Sequence, residues 1–178
     1  MNTSSEYAVD SFPVNACDNI RIFRSKLYPE AKYLGYVASK KRFFFGIRVH
    51  MLVTSQGHPV ECYFAPGSES DLKIFKCFQL DFLGKAIIYA DKAYTCYEYE
   101  DFLRENSNIE LVAQRKARSK RPHDGCLRYL QSRIRKRVET TFSQIVQLFP
   151  RSIHATTARG FELKIFLFIL AYSIRCLF

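Results

Sequence analysis

"IIYADKAY", residues 87–94, is the stretch on which the fold turns. Ile87, Ile88 and Tyr89 are β-branched or aromatic, and with Ala90 they read as a short buried strand. Asp91 stands where that strand stops, and Lys92 follows it. An aspartate at such a point can cap a helix or support a turn. It can equally be a carboxylate held at the carboxyl end of a sheet, where α/β folds gather their chemistry. The flanking elements decide what kind of sheet this is.

Upstream, "SESDLKIFKCFQL" (68–80) predicts a helix capped at Ser68 or Ser70, with acids in its first turn. Before it, "FFFGIRVHMLVT" (43–54) and "PVECYFAP" (59–66) bracket "SQGH" and predict two antiparallel strands joined by a short turn. "YAVDSF" (7–12) predicts a first strand ending before Pro13, while residues 19–42 show no clear periodicity. Downstream come a helix over 95–106, a strand at "IELVAQ" (109–114) and the basic loop "RKARSKRPHDG" (115–125).

The clearest helix spans 127–149. Leu127, Leu130, Ile134, Val138, Phe142, Ile145 and Phe149 recur at spacings of three and four and form one apolar stripe. Glu139 lies at the margin of that stripe, in one row with Arg135 and Ser143. A last helix is expected after Gly160. A hairpin followed by alternating helix and strand predicts an α/β fold with a mixed five-stranded sheet flanked by helices.

With 178 residues the chain is one domain's worth, and 48% hydrophobic content is that of a globular protein. The formal charge of +10 is unevenly placed: residues 104–137 hold 11 Lys+Arg against 3 Asp+Glu, and residues 21–48 hold 8 against 1. Two basic segments on a less basic body point to a polyanion, most simply nucleic acid, beside the plainer reading of a solvated surface. The six cysteines and four histidines show no C-x-x-C pair and no zinc-ligand spacing, so free thiols are expected. The first ten residues lack the features of a signal peptide. The uncharged run Ile165 to Ile174 is too short for the ~20 residues of a membrane-spanning helix, so it reads as a core helix.

Three acids can be assembled into a site. If the first strand and the strand of residues 87–90 are adjacent and parallel, Asp10 and Asp91 stand side by side. The long helix could bring Glu139 down beside them. Converging carboxylates need a counter-charge, and oxygen-only ligation suits two Mg²⁺ or Mn²⁺ ions in phosphodiester displacement. Each acid also has a plainer reading: Asp10 as a turn residue before a proline, Asp91 as a cap, Glu139 as a salt-bridge partner of Arg135. Asp71 and Asp81 fit helix-start and turn roles.

At these residues the sequence resembles a known family. "VDSFPV", "ASKKRFFFGIRVHMLV", "YADKAY" and "RKRVETTFSQI" are similar to the bacterial insertion-sequence transposases of the DDE type, and among them to the group numbered nine-eight-two within the insertion-sequence-four-like superfamily. The resemblance covers about residues 7–175. It implies a ribonuclease-H-like fold, with Asp10, Asp91 and Glu139 as catalytic and metal-binding residues. It implies cleavage at transposon ends by water and then attack of the freed 3′-hydroxyl on target DNA. Lys92, Arg135, Lys136 and Arg137 are candidates for DNA phosphate contacts, with Lys40, Lys41 and Arg48 behind them.

The implied partners are double-stranded DNA and a second copy in a homodimeric synaptic complex at the nucleoid, with no membrane. Superfamily members often carry a Tyr, Arg, Glu, Lys signature; here Arg135 and Glu139 match it, whereas Ser132 and Val146 occupy the tyrosine and lysine positions. An N-terminal end-recognition region is expected to be missing, which makes a fragment of a longer enzyme the first reading. The alternatives are a catalytically silent DNA-binding remnant and a ribonuclease-H-like nuclease on a structured nucleic acid.

Overall fold

The structure is a computed structural model that describes residues 4–18, 22 and 25–178. Six strands form one mixed sheet: β1 (Glu6–Asn15), β2 (Leu34–Val37), β3 (Arg42–Thr54), β4 (Pro59–Pro66), β5 (Ala86–Ala90) and β6 (Ile109–Ala113). Their order is β2-β3-β1-β5-β6, with β4 also paired to β3. β1 and β6 run parallel to β5, while β2 is antiparallel to β3. Among the described residues the α-helices are α1 (Asp71–Phe75), α2 (Tyr97–Ser107), α3 (Gly125–Gln147) and α4 (Ala158–Arg175).

The helix expected over 68–80 is present only as Asp71–Phe75, and three further local expectations change. The sheet has six strands rather than five, because β2 lies inside the stretch that showed no periodicity. β2 has only four residues and contains Gly35, a poor strand former on its own. Tertiary packing accounts for that glycine: a Cβ there would lie 2.4 Å from both the Gly67 carbonyl oxygen and the Phe44 ring. Second, β1 runs through Pro13 to Asn15. Its ladder with β5 ends at Val9, so on that side Pro13 has no hydrogen bond to forfeit. Third, α4 begins before Gly160, because the Thr157 side chain caps it by accepting the Gly160 N–H. Arg21 and Arg24 of the basic segment lie outside the described residues.

The chain divides into two compact units: Met1–Asp10, Met51–Glu61 and Ser70–Thr141 in the first, and Ser11–His50, Cys62–Glu69 and Phe142–Phe178 in the second. In the first, β5 lies between β1 and β6, and Ile88, Tyr89 and Ala90 are all buried, as in parallel strands covered on both faces. Leu111, Val112, Ile134 and Val138 share that core, and α2 packs on β6. Ser70 caps α1, as one of the two expected serines. Tyr89 hydrogen-bonds Glu6, and burial, more than that carboxylate, pushes its phenol up to about 12.

The second unit is built on aromatics. Phe12 packs on Phe142 at 4.8 Å and Phe149 on Phe168 at 5.2 Å. Tyr28 donates to Glu162, and its burial raises the phenol far above the usual range. α4 is a core helix on one face only: Phe161, Ile165, Ile169 and Tyr172 are buried, whereas Leu163, Leu167, Leu170 and Ile174 are exposed. Among the described residues no helix is long and apolar enough to cross a membrane. Among the described residues no two cysteines are joined by a disulfide.

Candidate functional site

The register of two parallel strands lays out the site. Val9 of β1 pairs with Ala90 of β5 as the last pair of their ladder, so Asp10, still within β1, and Asp91, just past the end of β5, stand next to each other at the same carboxyl edge of that ladder. The adjacency expected of these strands is therefore present. Both carboxylates are partly open, with side chains 20% and 30% exposed.

Asp91 joins the two readings of its sequence position in a single oxygen. Extended backbone ends β5, and Asp91 Oδ1 accepts the Lys92 N–H at 2.6 Å, capping the short 3₁₀ turn Lys92–Tyr94. The same Oδ1 lies 3.5 Å from Arg135 Nη1. Capping fixes the carboxylate; the fixed carboxylate then faces the helix.

Helix α3 supplies the rest through residues spaced four apart, which stack in one row. Gln131 is buried, and its Nε2 donates to the Ala90 carbonyl at 3.2 Å and the Val112 carbonyl at 2.7 Å. It thereby ties α3 to the carboxyl ends of β5 and β6. One turn on, Arg135 Nη2 lies 3.4 Å from Asp10 Oδ2 and 3.9 Å from Glu139 Oε1, while Nη1 is 3.1 Å from Gln114 Oε1. A further turn on is Glu139, its side chain 65% exposed. One guanidinium thus stands within 3.9 Å of all three acids.

The donor chemistry fits a hard divalent ion: three carboxylates, partly open to solvent, drawn from the middle of β1, the end of β5 and a helix. Their spacing is that of a guanidinium cradle, however. Among the described residues no group of three His, Cys, Asp or Glu stands close enough to share one ion. In this arrangement the counter-charge that three acids require comes from Arg135.

The basic candidates separate by what they already hold. Lys92 and Lys136 are exposed. Lys92 lines a cavity of about 480 Å³ with Gln114, Arg115, Lys116, Arg128 and Gln131. Arg137 Nε donates to the Gln56 carbonyl at 2.9 Å, so part of its donor capacity supports the turn after β3. Lys40, Lys41 and Arg48 belong to the second unit, where Arg48 Nη2 donates to the Tyr36 carbonyl at 3.1 Å.

The loop after β6 is also pinned in part. Arg115 makes a two-pronged contact with buried Glu100, and Arg121 makes another with Asp101. Arg121 holds the Asp101 carboxyl below its usual range. Both guanidinium groups lie over the Tyr97 ring. The Ser119 hydroxyl, more than Arg115, lowers the Tyr97 phenol.

Sequence reasoning missed Gln131 and Gln114. Gln131 had a signal: a polar residue one turn before Arg135, in the same row as Glu139, between apolar Leu130 and Ile134. Gln114 had none, since its role depends on where β6 ends.

A family model described as a transposase DDE domain matches residues 2–156. No curated protein and no solved structure matches the chain.

Proposed function

Because the chain belongs to the transposase DDE domain family, we propose that Asp10, Asp91 and Glu139 are its catalytic acids and that it cleaves and joins DNA strands at the ends of an insertion sequence. The observation that carries this reading is the convergence of all three acids on the Arg135 guanidinium. They are distant along the chain, and they meet at the carboxyl edge of two parallel strands, where open α/β sheets bind ligands.

Asp10, Asp91 and Glu139 would hold two Mg²⁺ or Mn²⁺ ions, which when bound activate an attacking oxygen and stabilise the leaving one. The chain's own residues do the positioning. Asp10 is held by the strand that continues on both sides of it, and Asp91 by the end of the β5 ladder and by its cap. Gln131 sets the height of α3 on the sheet and so the reach of Glu139. Arg135 neutralises part of the acidic charge while no metal ion is bound. Exposed Lys92 and Lys136 hold the scissile strand by its phosphates.

In the first step a water oxygen bonds to phosphorus, the bond to the 3′ oxygen breaks, and a 3′-hydroxyl and a 5′-phosphate result. In the second, that hydroxyl attacks a target phosphodiester and displaces another 3′ oxygen. The motifs further suggest membership of the group numbered nine-eight-two, acting as a homodimer on two ends.

A second reading, a catalytically silent DNA-binding protein, is favoured by one observation: Arg135 stands at the centre of the acids, in the place of the cation they would share. Supercoiled plasmid and Mn²⁺ separate the two. The catalytic reading expects nicking by the chain and none by Asp91→Asn. Equal plasmid retention with no nicking by either establishes the silent binder, and nicking undiminished by Asp91→Asn removes the acid site from consideration. An RNA strand cut in preference to DNA points instead to a nuclease on structured RNA.

A further inference from the structure

In the second unit, β2 and the start of β3 form a hairpin whose connection is the 3₁₀ turn Ala38–Lys40 followed by Lys41. Tyr36 and Phe43 are directly opposed in its register, with ring centroids 5.0 Å apart. They remain 47% and 58% exposed, and Leu34 beside them is 41% exposed. β2 begins the strand order, so this pair lies at the sheet's end. Next along the chain stand Lys40, Lys41 and Arg42, all exposed.

From Ala31 to Val60 the sequence contains no acid. The hairpin therefore has no internal counter-charge, in contrast to the pinned loop after β6. Arg48 donates to the Tyr36 carbonyl, bracing the backbone that carries the exposed ring.

Lys41 adds an independent observation. It adopts left-handed backbone, φ 48° and ψ 40°, a region that costs a residue with a Cβ and suits glycine. A lysine in a glycine's conformation keeps a positive charge at the tip against local backbone preference.

We propose that this hairpin is a binding site for an unpaired DNA strand, with Tyr36 and Phe43 stacking on exposed bases and Lys40, Lys41 and Arg42 holding the neighbouring phosphates. Unpaired bases offer the π-faces that a duplex keeps stacked, and aromatic rings beside cations are the sequence-tolerant means of engaging them. An exposed aromatic pair can also serve merely to steady a hairpin. Charge complementarity favours the strand: three exposed cations beside two exposed rings, with no nearby acid in the sequence. The inference rests on family membership, not on the acid site.

Fluorescence anisotropy with a labelled 20-nucleotide thymidine strand and a duplex of equal length tests it on the full chain. Tyr36→Leu with Phe43→Leu keeps apolar bulk and removes both π-faces. It is expected to weaken single-strand binding by about tenfold or more and to leave duplex binding within about twofold, since paired bases offer those rings no free face. Replacing Lys40, Lys41 and Arg42 with alanine should reduce the log-log salt slope for the single strand by about two. Lys41→Gly relieves the strained backbone, so its melting temperature should stay level or rise while single-strand binding falls; this guards against misfolding as the cause of lost binding.

Run in EDTA, where no divalent ion engages the acids, the leucine pair should lose single-strand binding by the same factor, so failure of the acid site would leave this result intact. Unchanged single-strand affinity in the leucine pair, or an equal loss on strand and duplex, overturns the proposal.

Discussion

Two arginines of the first unit meet carboxylates in opposite ways. Arg115 and Glu100 face each other alone, at 2.7 and 2.5 Å, with side chains only 8% and 1% exposed. Arg135 is shared among Asp10, Asp91 and Glu139 at 3.4, 3.5 and 3.9 Å, at the edge of solvent. Charge-assisted hydrogen bonds of full strength are about 2.7–2.9 Å long. Glu100 therefore has a committed partner, whereas the three acids have a loosely held and divisible one. The first pair fixes α2 to the loop after β6. The second leaves carboxylate capacity that another cation can claim.

Breaking one side of each arrangement separates them most sharply. Glu100→Ala strands a buried guanidinium and should cost about 3–5 kcal/mol of stability, read by urea denaturation. A loss below about 1 kcal/mol would mean that water reaches Arg115 easily and that the pair resembles a surface contact.

Gln131→Leu removes the amide that ties α3 to two strand ends. The Ala90 and Val112 carbonyls lose a donor, with an expected cost of about 1–3 kcal/mol in the same measurement. If Gln131 sets the reach of Glu139, Mn²⁺-dependent nicking should fall as well, even well below the melting temperature.

Arg135→Gln should change stability by less than about 1 kcal/mol, since its contacts are long and partly solvated. Removing a cation that competes for the acids should tighten Mn²⁺ binding, measured by electron paramagnetic resonance, by roughly fivefold. An unchanged affinity would make Arg135 a bystander and end the comparison.

The smallest effect concerns Asp101, which Arg121 holds below the usual carboxyl range. Its folded value lies below its unfolded one, near ~3.9, so the pair stabilises the fold above that pH and the contribution fades as acid protonates the carboxylate. Arg121→Ala should move the Asp101 titration, followed by carboxyl NMR, up towards the ordinary value.

The sheet core and α3 were legible because their signals are local. β5 is a run of apolar residues, and α3 carries six of the seven apolar residues of the predicted stripe, Phe149 lying just past its end. Asp91 was legible for the same reason: it is the residue that stops a strand. β2 was not, since four residues with a glycine carry too little periodicity, and Gly35 is explained only by its contact with Phe44 and Gly67. The basic surface was overstated in one place. Arg115 and Arg121 count as charge in the sequence, yet in the fold they are paired with Glu100 and Asp101.

By itself the sequence determined most of the strands and helices, and it put one acid within a strand, one at a strand end and one on a helix margin, because periodicity and chain punctuation act over a few residues. Only the tertiary structure decided that these acids face one another across Arg135. That depends on the pairing of Val9 with Ala90 and on the height at which Gln131 seats α3. Both are long-range contacts, and no local pattern encodes the distance between residues that lie 19 to 81 positions apart along the chain.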